Sequence, residues 1–131
     1  MAQSKETRSY KFVVTEEIRA EWDNRIHPTL QDTLYDGLKA PDDDMDAELL
    51  QKCQEQKAAD ALKQVEAAKY RLKNAEYALE WFYKLDPDKA IAFDLSRLQT
   101  DVSFAVEKVA KTIDTHRFHT NAAHAYWYYL Q

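Results

Sequence analysis

A chain of 131 residues with a single glycine and three prolines has almost no material from which to build turns. It must therefore fold into few elements, and long ones. Between Asp44 and Leu85 neither glycine nor proline occurs, and Ala, Leu, Lys, Gln and Glu, all strong helix formers, fill the stretch. At about 1.5 Å per residue that is a helix on the order of 60 Å. An all-β or α/β chain of this size would need turn residues roughly every ten positions. The hydrophobic share of 45% is that of a globular chain, and the length is that of one domain with a single core.

The apolar pattern tells how the long helix is covered. Ala58, Ala61, Val65, Ala68, Leu72, Ala75, Leu79 and Phe82 recur at alternating spacings of three and four, a coiled-coil seam. Alanine recurs at one core position, so a partner backbone should approach closely. Asp86-Pro87-Asp88 supplies an N-cap and a proline suited to a first helical position. Beyond it, Ile91, Leu95, Leu98, Val102, Ala105, Val109 and Thr112 repeat the three-four spacing. The short connection makes the two helices antiparallel. Residues 58–85 and 88–113 are thus expected to form a hairpin, with Leu62, Val106 and Ile113 widening its stripe to meet the first helix.

The flanks read as shorter elements. Tyr10–Val14 is rich in β-formers and reads as an extended arm within residues 1–14. Thr15 is an N-cap candidate, and Ile18, Trp22 and Ile26 share one helical face. Pro28 bends or ends that helix at His27, while Leu30, Leu34 and Leu38 resume the spacing, so 15–38 is expected as one kinked arm. Gly37 and Pro41 mark its end. Polar residues and histidines over Thr115–Asn121 predict a break between the hairpin helix, 87–114, and a short last helix, 121–130. The fold class is therefore all-α: a bundle of three to four helices built on a long antiparallel helical hairpin, residues 44–85 and 87–114, in a single domain.

Charge and cysteine usage narrow the function. The net charge of −5 is concentrated in residues 42–57, with six acids against two bases, and the rest of the chain shows no basic stripe. Direct nucleic-acid binding is not expected. Residues 1–6 lack an apolar core, and nowhere do about eighteen apolar residues run together, so neither export nor membrane spanning is expected. Cys53, the only cysteine, allows no internal disulfide and reads, beside Leu49 and Leu50, as a buried structural thiol. A cytoplasmic protein is the expectation.

Three constellations are candidates for function. His116, His119 and His124 offer imidazoles to a metal, but no Cys lies near them, and the Glu-x-x-His and His-Glu-x-x-His patterns of helical metal sites are absent. Favourable charge at a helix C-terminus explains them as well. Asp42, Asp43, Asp44 and Asp46 read as the cap of the long helix or as an acidic docking patch. Aromatics crowd the hairpin tip, including Trp81 and Tyr83, and the C-terminus, Tyr126, Trp127, Tyr128 and Tyr129. Four consecutive aromatics cover most of a helix's circumference, so some must be exposed or bound.

No glycine-rich phosphate loop and no nucleophile motif is present, so neither a catalytic residue nor a cofactor is expected. The expectation is a non-catalytic protein–protein interaction module that self-associates as a homodimer and binds a larger protein partner through aromatic and hairpin surfaces. The alternatives are a small acidic inhibitor or regulator docking on a basic, nucleic-acid-binding site through Asp42–Asp46, and a histidine-dependent metal protein. The stretch 44–57, with no mate in the hairpin, is a further reason to expect an oligomer.

Overall fold

The computed structural model describes residues 16–31 and 38–131. The expected arm at Tyr10–Val14, the Thr15 cap, Leu34 and the Gly37 stop lie outside them. All the regular structure described is helical, and a long helix packs on another as an antiparallel pair. Four α-helices are described: α1, Glu16–Arg25; α2, Asp44–Tyr83; α3, a single turn at Pro87–Ala90; and α4, Leu95–Tyr129. Among the described residues no helix is long and apolar enough to cross a membrane.

α1 carries Glu16 and Glu17 in its first turn and Arg25 in its last, each at the end of the helix dipole that favours it. His27 is extended, at φ −60° and ψ 129°, as a residue before proline should be. A 3-10 turn, Pro28–Leu30, follows, so the helix ends at the proline instead of bending through it. Gln31 donates to the carbonyl of Asp23 at 3.1 Å and tethers that turn back to α1.

The turn between α2 and α4 differs from the sequence expectation in its start. Pro87 opens one helical turn only, and Asp86 makes no side-chain cap there. The cap falls to Asp94, whose Oδ1 accepts from the Arg97 amide at 3.2 Å, so α4 begins at Leu95. Ile91, expected on the seam, is consequently 84% exposed.

A second correction concerns residues 115–121, where a break was expected. α4 continues through them to Tyr129. The polar side chains there are accommodated within the helix: the Thr112 hydroxyl donates to the Val109 carbonyl at 2.9 Å and the Thr115 hydroxyl to that of Lys111 at 3.0 Å. There is no separate C-terminal helix, and the stretch 44–57 has a mate within the chain.

The described residues group into two compact units. Unit 1 takes in the described residues up to Ala58 together with Arg117–Gln131, and unit 2 is Ala59–His116. In unit 1 a core of Trp22, Ile26, Leu38, Ala40, Ala47, Ala122, Ala125, Tyr126 and Tyr129 joins α1, residues 38–40, the first turns of α2 and the last turns of α4. Leu30, Leu50, Phe118 and Leu130 pack around it. Trp22 and Tyr126 stack with ring centroids 6.0 Å apart.

Unit 2 is a pair of helices. Its buried apolar residues, Ala61, Val65 and Ala68, lie on the predicted seam, and Leu72, Ala75, Leu79 and Phe82 are half-buried along it. From α4, Leu98, Val102, Ala105 and Val109 are half-buried and Thr112 is buried. Leu62 and Val106, expected to meet the first helix, are 46% and 51% exposed. A seam rich in alanine brings helices together but removes little apolar area from water.

Trp22 fills the centre of unit 1 and is 1% exposed. Trp22→Ala should lower stability by about 3–5 kcal/mol, read as a fall in the urea midpoint of helical circular dichroism. A midpoint equal to that of the unsubstituted protein would contradict this placement of the core.

Candidate functional site

The acidic run is occupied by its own chain. Asp43 caps α2: its Oδ1 accepts from the Asp46 amide at 2.7 Å. Asp46 reaches back to accept from the Asp42 amide at 2.9 Å, and Lys39 lies 3.4 Å from both the Asp42 and Asp46 carboxylates. Asp44 pairs with Arg25 at 2.9 Å. Each of Asp42, Asp43, Asp44 and Asp46 therefore has an internal partner that fixes the start of α2. The Lys39 ammonium is desolvated, which opposes its charge, yet Asp46 and Asp42 hold its pKa above the ordinary value.

Arg25 does more than pair with Asp44. Its Nε donates to the Tyr129 carbonyl at 3.0 Å, and its guanidinium lies 3.5 Å from the Tyr129 ring centroid. One side chain thus joins the end of α1, the start of α2 and the last carbonyl of α4. Nothing in the sequence marked Arg25 out, because its partners are distant along the chain.

The C-terminal aromatics divide by face. Tyr126 and Tyr129 are buried, which removes both from the candidate interaction surface: they are core. Trp127 and Tyr128 are 45% and 38% exposed, and Tyr128 meets His27 edge to face at 5.4 Å. The Tyr126 hydroxyl donates to the Lys39 carbonyl at 2.5 Å. Burial pushes its pKa far above the tyrosine range, with Asp46 and Cys53 adding in the same direction.

The three histidines do not come together as a metal site. His119 Nδ1 lies 2.6 Å from the Oε1 of the buried Gln54, an arrangement that requires the imidazole N–H to donate, and its ring is edge to face with Phe118. His124 stacks on Trp127 at 5.4 Å, beside a shallow groove that includes Glu55 and Thr120. His116 is half-buried in unit 2. Among the described residues no three His, Cys, Asp or Glu side chains are grouped to hold a metal ion. Cys53 is exposed, not buried as expected, because the inward face of this part of α2 passes through Ala47, Leu50 and the polar Gln54.

Unit 2 presents the larger aromatic surface. Tyr70, Tyr77, Trp81 and Tyr83 are 67%, 71%, 45% and 60% exposed on α2, and Phe104 is 65% exposed on α4. Trp81 packs edge to face on Phe93 of the turn at 5.1 Å. A groove of about 630 Å³ is lined by Ala68, Ala75, Ala105 and Phe104 together with Arg71 and Lys108. Comparison with protein-family models finds none that matches, and comparison with curated proteins and with solved structures likewise finds no match.

The buried tyrosine sets an alkaline limit. Unfolded Tyr126 releases its proton near pH 10 while the folded chain retains it, so its share of stability is complete below about pH 10 and declines as pH rises further. Tyr126→Phe should cost about 1 kcal/mol near neutral pH and make that alkaline decline shallower. Urea titrations from about pH 7 to pH 11 measure both; an unchanged alkaline slope would exclude Tyr126 as its source.

Proposed function

We propose that this protein is a non-catalytic protein–protein interaction module that self-associates and binds a larger protein partner through its exposed aromatic and hairpin surfaces. The observation that carries the reading is the inverted placement of size in unit 2. Small residues, Ala61, Val65 and Ala68, are inside, and Tyr70, Tyr77, Trp81 and Phe104 are outside. Surface Tyr and Trp in contiguous groups supply most of the binding energy at protein interfaces. Trp81 and Tyr83, both singled out in the sequence, belong to this surface, and Trp127 and Tyr128 form a smaller one in unit 1.

An acidic inhibitor that docks through Asp42–Asp46 has less support, since docking would compete with the Lys39, Arg25 and helix-cap contacts already made. A cytoplasmic setting goes with the proposed function, because an exposed lone thiol persists in a reducing compartment.

Cross-linking in native host cells, read by mass spectrometry, should join the lysines near Tyr77 and Trp81 to protein, whether a second copy or another chain. Tyr77→Ser combined with Trp81→Ser should reduce those links about ten-fold or more, the scale of lost interface anchors. A chain that stays monomeric and unlinked at its native level would overturn the proposal.

A further inference from the structure

The outward face of α2 carries a second seam. Successive helical residues turn by about 100°, which puts Tyr70, Tyr77 and Trp81 within about 40° of one another and opposite the buried Ala61–Ala68 face. Around them the sequence reads Ala67, Tyr70, Asn74, Tyr77, Trp81, Lys84, at spacings of three, four, three, four and three. All six are exposed; Lys84 lies in the turn that follows α2, and Trp81 also meets Phe93 edge to face at 5.1 Å. This is the knob spacing of a coiled coil on a face that no helix of unit 2 covers.

We infer that a second copy of this chain covers it, with the two α2 helices antiparallel about a two-fold axis; the inference rests on the interaction-module reading above. The charges flanking the stripe select this occupant. Lys73 and Glu80 lie on the same edge of the stripe, one turn either side of Tyr77, and both are exposed; Glu80 also pairs with Lys84 of its own chain at 3.2 Å, an exposed pair whose carboxylate has a second oxygen to offer. In the antiparallel register that sets Trp81 against Tyr70 of the second copy, Tyr77 meets Asn74. Lys73 then faces Glu80, and the two-fold repeats every pair. The opposite edge sets Arg71 against Ala78, with no like charges in contact. Ala67 leaves room for the long stem of Lys84. A parallel pair would instead set Lys73 against Ala78 and leave Glu80 without a partner in the second copy. Opposite charges that exchange places under a two-fold are the signature of an isologous interface.

Sedimentation equilibrium of the full chain tests this, with circular dichroism confirming unchanged helicity, since every altered residue is exposed. The unsubstituted protein should dimerise. Lys73→Glu and Glu80→Lys, each of which turns two attractions between copies into repulsions, the second also removing the Glu80–Lys84 pair within each chain, should weaken the dimer about five- to ten-fold. The double variant, with the charges exchanged, should return to within about two-fold of the original. A chain that is monomeric at every concentration overturns the inference. So does a dimer insensitive to the single variants, or one that the double variant fails to rescue. In either of those last outcomes the interaction-module reading survives on another surface, whereas loss of cross-links to all protein, as above, removes both.

Discussion

Tyr126 is the contact on which the order of unit 1 depends. Its ring stacks on Trp22 of α1, and its hydroxyl closes on the Lys39 carbonyl in the segment that leads into α2. Three pieces distant in sequence meet at one side chain that is 0% exposed. A phenol in that position must keep its hydrogen bond, because a buried polar group without one costs roughly as much as several buried methylenes contribute. The same requirement fixes Lys39, and Lys39 in turn stands beside the two carboxylates that organise the start of α2. Arg25 ties the other edge through Asp44 and the Tyr129 carbonyl. The end of α4 is therefore held by side chains, where a glycine cap would otherwise satisfy its carbonyls.

This explains why the fold was legible in the sequence to the extent that it was. The Asp44–Leu85 helix and the reversal near Pro87 follow from local rules: absent breakers, a three-four stripe, and proline where a helix begins. Those rules act within a few turns and are visible in any single chain. The histidine-rich stretch from Thr115 to Asn121 was misread for the complementary reason. Within the helix His119 meets Gln54, sixty-five residues away, and the Thr115 hydroxyl returns to the Lys111 carbonyl, contacts that no local pattern announces. Intrinsic propensity counts those residues as weak, and tertiary context overrides it. Asp94 displaced Asp86 as the cap of α4 in the same way: both have the right side chain, and only the path of the turn decides between them.

The candidate surfaces divided along the same line. Four consecutive aromatics could be recognised as too many for one face, but which two face inward depends on helix phase, which the α4 core contacts of Ala122 and Ala125 set. The acidic run, equally suggestive as a docking patch, is accounted for by capping and by Lys39 and Arg25. The sequence marked where chemistry-bearing residues lie; assigning them to core, cap or surface required long-range contacts such as Arg25 to Tyr129.

The alanine seam and the aromatic stripe are two results of one sequence choice. Ala61, Val65 and Ala68 hold inward positions of α2, and the helical period sets Tyr70, Tyr77 and Trp81 on the opposite side. Those side chains must then stand outside, where each carries more apolar area than the alanines bury. A two-helix pair so built buries small residues and leaves Tyr70, Tyr77, Trp81 and Phe104 exposed. Such an arrangement is stabilised further only by something that covers the outer face. The proposed association would act on that outer face, where the exposed Lys73 and Glu80 flank the aromatic stripe.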